Sequence, residues 1–200
     1  MNRQFFNRHW QGPGGIAALI PIAVPMILSN IFDTVMMFVD RLYLSHVGKE
    51  HMAGCMSAGL TAWSCTVFFV GVISYVSAMV ARNYGAGRHS ECTPVVWQGL
   101  RLSLLSYPLV LAIGLLAVRT FSLAGHDPLQ VKLETTYFWY MLLGGGILSL
   151  LRAPMAAFFS GIGKTKIIMQ ASFAAMLVNL VANYLLIFGK FGFPKLGIVG

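Results

Sequence analysis

Five apolar stretches, each long enough to cross a bilayer, dominate this chain. They run over residues 16–44, 52–80, 95–118, 136–159 and 167–188. A helix needs about 20 apolar residues to span the hydrocarbon core. Lipid offers no water to an exposed backbone, so packed helices are the expected structure. The links are short and rich in chain-breaking residues. Residues 45–51 contain Gly48, 83–91 read NYGAGRHSE, 125–128 form the turn signal GHDP, and 160–166 read SGIGKTK. Links this short make neighbouring helices antiparallel. The expected fold is an all-α integral membrane bundle over residues 16–200, preceded by a cytoplasmic segment over 1–15.

Composition agrees with that class. Only 10% of the 200 residues are charged, against about 25% in a typical soluble domain. The net charge of +8 comes from basic residues scattered through the links. They form no Lys/Arg run, so they point to membrane topology and not to nucleic acid. With the N-terminus inside, the cytoplasmic side collects Arg3, Arg8, Arg82, Arg88, Lys164 and Lys166. Arg101 and Arg152 are placed to snorkel towards it. The other side receives Arg41, Lys49, Arg119, Lys132, Lys190 and Lys195. The expectation is a multi-pass protein of the plasma (inner) membrane with a cytoplasmic N-terminus. The first apolar run is too long for a signal peptide and lacks a cleavage site, so it is read as a retained helix.

The first stretch, IAALIPIAVPMILSNIFDTVMMFVDRLYL, carries two aspartates. A charge at the bilayer centre costs roughly 2.5–3.5 kcal/mol on the translocon scale, and such residues are rare and usually functional. Asp33 and Asp40 are seven apart and share a helix face. That face is read as lining a cavity, with Asp40 cycling between protonated or cation-bound and free forms. Arg41 follows Asp40 but points about 100° away around the helix. Asp33 could instead be satisfied by Asn30 or Ser29. Pro21 and Pro25 each remove a helix hydrogen bond, and a kink is expected near Pro25. On the fifth stretch, Asn179 and Asn183 are four apart and share a face, with Tyr184 beside them. Amides there serve equally as ion ligands or as hydrogen-bonding glue between helices. Gly144–Gly146 interrupt the fourth stretch, and close helix packing is the favoured reading. Pro108 and Pro154 interrupt the third and fourth.

Other candidates fall away. GIGKT at 161–165 imitates a phosphate loop, but Phe158 stands where the first glycine must be. Cys55, Cys65 and Cys92 have no metal-ligand spacing, and no disulfide is expected. The five histidines sit in links or at helix ends, and no serine has a nucleophile's partners. An enzyme is therefore not expected, nor is any cofactor.

In order along the chain, PMILSN…MMFVDRLYLSHVG, ARNYGAGR, FFSGIGKTK and NLVANYLLIFGKFGFPKLGIVG resemble the MATE (multidrug and toxic compound extrusion) family. This family lies within the larger flippase superfamily of multidrug and oligosaccharidyl-lipid transporters. The resemblance implies a twelve-helix transporter of two six-helix lobes, of which this chain looks like most of one, cut before a sixth helix. It implies export of cationic or amphipathic small molecules, driven by H⁺ or Na⁺ entry. The family's first-helix acid falls on Asp40, and its helix-five pair on Asn179 and Asn183. Some branches carry Asp at the second of those positions, so Asn183 shifts the burden to Asp40. Asp33, Asn30 and Tyr184 are then candidate cavity-lining residues, and a Na⁺ at the coupling site is the one metal to consider. The expected partners are the substrate, the bilayer and a C-terminal lobe or partner half. A lipid-linked oligosaccharide flippase and an inactive or partner-requiring fragment are the alternatives.

Overall fold

A computed structural model describes residues 10, 15–45, 49–123, 125 and 127–188. Most of the N-terminal segment, His46, Gly48, His126 and the glycine- and proline-rich stretch 189–200 lie outside these residues. Among the described residues there is no strand, and five helical spans are long and apolar enough to cross a membrane: Leu19–Tyr43, Met52–Gly85, His89–Leu123, Pro128–Gly161 and Thr165–Leu186. Their outward faces are apolar. Phe38, Phe68, Leu105 and Leu116 are each more than 60% exposed, which suits a lipid solvent and no aqueous one.

The first span belongs to one continuous helix, Ile16–Ser45, that passes through Pro21 and Pro25. The second is two helices, Lys49–Ser74 and Val76–Gly85, joined at Tyr75. A single turn over His89–Glu91 leads into the third, which starts at Cys92.

The fourth span begins earlier than the hydropathy suggested, at Pro128 instead of Thr136. The physical reason is capping. Asp127 accepts a hydrogen bond from the Leu129 N–H at 2.9 Å, and Pro128 occupies the first helical position. That cap outweighs the polar composition of the first two turns. The span then passes through a π-helical segment, Met141–Gly146, before continuing as Ile147–Gly161. The glycines fall inside this segment, and only one of them packs as expected. A Cβ at Gly146 would touch Thr66, Leu142 and Tyr107, whereas Gly144 and Gly145 face open space.

The second, third and fourth spans make the core. Ala58, Ala62, Ile73, Val110, Phe138 and Leu150 form one buried cluster, and Val76, Val80, Val95, Val96 and Ala157 a second. Small residues let the helices approach. A Cβ on Gly99 would sit 2.8 Å from Val76 and 2.9 Å from Pro154, and one on Gly161 would sit 2.8 Å from the Ser77 carbonyl. The SGIGKTK link is a helix-to-helix turn, with Gly163 at φ +74° and Lys164 N–H bonded to the Phe159 carbonyl.

Proline and the π segment free backbone carbonyls, and neighbouring hydroxyls meet two of them. Pro154 has no N–H to give the Leu150 carbonyl, which accepts instead from Ser103 of the third span at 2.7 Å. Tyr107 likewise donates to the Leu143 carbonyl at 2.9 Å.

The first and fifth spans pack along each other. Ser29 shares a hydrogen bond with Ser172 at 2.6 Å, and the rings of Phe32 and Phe173 lie 5.2 Å apart. This parallel pair closes one side of the bundle.

Candidate functional site

Asp40 is half-buried between the first and fifth spans. Its Oδ1 accepts a hydrogen bond from Asn183 Nδ2 at 2.5 Å, and the same Nδ2 donates to Asn179 Oδ1 at 3.2 Å. The two amides four residues apart do share a face, and that face meets Asp40. Tyr137 and Cys55 lie beside each other in the neighbourhood of Asp40 and Arg41. The site is thus an oxygen-rich group on three side chains, bridged by one amide nitrogen. Carboxylate and amide oxygens are the ligand types a hard cation takes. A carboxylate in that position is also a proton acceptor.

Asp33 belongs to a different group. Arg152 Nη2, from the fourth span, lies 3.2 Å from Asp33 Oδ2 and 3.1 Å from Ser172 Oγ. This corrects two expectations. The Arg152 guanidinium is held by Asp33 and Ser172 instead of reaching along its helix towards an end of the bundle, and among the described residues neither Asn30 nor Ser29 satisfies Asp33. Arg152 sits about 13 Å along its helix from Gly161, and pairing within the bundle replaces a long reach to the interface. Ser29 is taken by Ser172, and the Thr34 hydroxyl donates to the backbone carbonyl of Asn30.

The two acids therefore serve different neighbours. A cavity of about 700 Å³ opens beside Asp33, walled by the first, second and fourth spans with Ile168 of the fifth. Asn30, Asp33, Trp63, Ser149 and Arg152 line it. Asp40, Asn179, Asn183 and Tyr184 are not among its lining residues. Tyr184 instead faces the ring of Tyr43 at 6.3 Å. Pro25 is buried one turn before Ser29.

The sequence suggested another role for Arg152 and left Ser172 and Glu134 unassigned. Arg152 sits in an apolar run, LSLLRAPMAA, and an intramembrane charge is itself the signal to look for an opposite one. Ser172 carried no signal. Glu134, placed in a link, is a fully buried residue of the fourth span that accepts from Gln130 Nε2 at 3.0 Å and packs against Gly54. The Asp-Pro start at 127–128 would have revealed the four-residue spacing of Gln130 and Glu134.

Apolar helices that turn charged and amide side chains inward around a cavity define a multi-pass membrane protein with polar sites inside its bundle. The MatE family model matches residues 25–185, and the chain belongs to that family. It is similar to "Probable multidrug resistance protein NorM" of Neisseria meningitidis, with 29% identity over 192 residues, covering 92% of this chain. A NorM of Geobacillus kaustophilus is 31% identical over 185 residues, and "Multidrug resistance protein MdtK" of Klebsiella pneumoniae 30% over 191, each covering 91% of this chain. The chain spans about 40% of the length of these curated relatives.

Proposed function

We propose that this chain is the N-terminal lobe of a multidrug efflux transporter that exports amphipathic small molecules, organic cations among them, in exchange for H⁺ or Na⁺. The observation that carries the reading is Asp40 held against Asn179 and Asn183 between the first and fifth spans. A carboxylate is costly to keep at such a position, and it gives the lobe a group whose charge state an entering cation changes. Asp40 takes the coupling ion. Asn183 gives up its hydrogen bond to Asp40 when the ion binds, and the parallel pair of spans adjusts with it. The 700 Å³ cavity beside Asp33 is the lobe's part of the substrate path. Alternating access then rocks this lobe against a companion lobe, with the sites near the interface of the two. The flippase reading calls for a broad basic surface, and here the one cation among the described lining residues, Arg152, is paired with Asp33.

The test is transport in vesicles that hold the lobe with its companion. An imposed H⁺ or Na⁺ gradient should drive extrusion of a fluorescent amphipath, and Asp40→Asn should abolish it while membrane insertion persists. Full gradient-driven extrusion by Asp40→Asn would remove Asp40 from the coupling role.

A further inference from the structure

We infer that Arg101, on the outward face of the third span, binds the phosphate of an anionic phospholipid, with Trp97 and Gln98 completing the headgroup site and Leu105 bordering the acyl chains. The site stands apart from the cavity, since none of the described cavity-lining residues comes from the third span.

Depth comes first. Gly99 lies against Pro154, and Ser103 donates to the Leu150 carbonyl. Arg101 is midway between Gly99 and Ser103, and Arg152 is midway between Leu150 and Pro154, so the two arginines stand at one level of antiparallel spans. Each is about 13 Å along its helix from the nearer end, Cys92 for one and Gly161 for the other. Their surroundings differ. Arg152 turns inward and is held by Asp33 and Ser172. Arg101 is two residues from both Gly99 and Ser103, so it projects about 160° away from the face that meets the fourth span. It is exposed there and has no hydrogen bond or ion pair to any described residue. The third span, His89–Leu123, offers no acid after Glu91, and Glu91 is held by Arg88 at 3.4 Å. An unpaired charge at such a depth in lipid is costly, and arginine relieves the cost by snorkelling and by drawing headgroups and water inwards. The bundle supplies the anion for Arg152, and the bilayer supplies it for Arg101. A guanidinium takes two phosphate oxygens at once through its fork of donors. The rest of the face fits a lipid. Trp97, one turn nearer the end of the span and 59% exposed, is placed as an indole is at headgroup level. Gln98, also exposed, is three residues before Arg101 and offers an amide to glycerol or phosphate oxygens. Leu104 and Leu105, 56% and 72% exposed, continue the face inwards as apolar surface for the chains. Charge selects among lipids. The choline or ammonium of a zwitterionic headgroup finds no free acid on this span, whereas phosphatidylglycerol brings a phosphate and hydroxyls alone.

Native mass spectrometry of the purified full chain tests this. The chain in detergent is titrated with dioleoyl phosphatidylglycerol or dioleoyl phosphatidylcholine, and the bound lipids are counted at each concentration. The first phosphatidylglycerol should bind about fivefold more tightly than the first phosphatidylcholine, the scale of one basic residue near an anionic headgroup. Arg101→Gln, which alters an exposed position and no packed one, should remove that preference. Arg101→Lys, which keeps the charge but not the fork, should retain a smaller preference and gives a second reading of the site. Trp97→Ala should weaken both lipids alike. Lys164→Gln, at an exposed position of the link between the fourth and fifth spans, should leave the preference as it is in the wild type. Equal affinity of the wild type for the two lipids, or a preference that survives Arg101→Gln, would overturn the inference. So would an equal loss in Lys164→Gln, which would show attraction to the net charge of the chain and no site at Arg101. A dimer that Arg101→Gln dissociates would assign the face to a second copy of the chain and overturn it as well.

Discussion

Asn183 hydrogen-bonds Asp40 at the same sequence offset, 143 residues, that separates the bonded pair Ser29 and Ser172. A constant offset along two helices means that they run parallel and in register over three turns. Phe32 with Phe173 and Tyr43 with Tyr184 repeat the relationship on neighbouring rows. The fifth span thus lies along the first in the same direction, as an odd-numbered partner must when short links alternate the helix directions. It brings to Asp40 two amides that lie more than a hundred residues away in sequence.

The Asp40–Asn183 contact should be measurable as a coupling. Asn183→Ala removes the amide donor and should destabilise the protein by about 1 kcal/mol, the usual scale for polar contacts between membrane helices. A double-mutant cycle with Asp40→Ala, which removes the acceptor outright, read by thermal or denaturant unfolding in detergent, should return a coupling of that order. Strict additivity would show that the contact contributes nothing in solution.

Asp40→Asn should separate folding from function. The amide is nearly the same size as the carboxylate and can still bond to Asn183, so membrane insertion and monodispersity should match the wild type. Gradient-driven efflux by the lobe with its companion should fall to background, because an amide neither takes up a proton nor carries the charge that holds a cation. Fluorescence-detected gel filtration and vesicle efflux on the same preparation check both halves.

Ser103 and Pro154 should be coupled through a carbonyl that neither owns. Ser103→Ala leaves the buried Leu150 carbonyl without its 2.7 Å donor and should cost about 1–3 kcal/mol. Adding Pro154→Ala restores a backbone N–H four residues on, so the double variant should be more stable than Ser103→Ala alone. Unfolding midpoints of the three variants decide it. A double variant less stable than either single one would refute the assignment.

Gly99 should tolerate no branched side chain. A Cβ there would meet Val76 and Pro154 at 2.8 and 2.9 Å, both in packed positions. Gly99→Val should cost about 1–3 kcal/mol or more through overpacking, whereas Gly59→Val, at a position where a Cβ meets nothing within 4 Å, should be far milder. Yield and melting temperature of the two variants make the comparison.

Hydrophobic length by itself determines much of this protein. Lipid demands satisfied backbones, so runs of 20 or more apolar residues fix five helical spans, and short links fix their alternation. The two aspartates and the Asn179–Asn183 pair were legible for a related reason. Polar groups stand out against an apolar background, and a spacing of four or seven places them on one face. The start of the fourth span was misplaced because hydropathy outvoted an Asp-Pro cap, a local signal that the sequence did contain. Tertiary structure alone decided which polar group met which. Helix rotation and register set Asp40 against Asn183 and turned Asp33 towards Arg152, and no property of either aspartate's neighbours in sequence distinguishes the two outcomes. The same packing divided a face that looked single into an acid–amide cluster at Asp40 and a charge-balanced cavity at Asp33. Side-chain partners across helices depend on rotations of a few tens of degrees, and those follow from where Gly99, Gly161 and Pro154 let the spans approach.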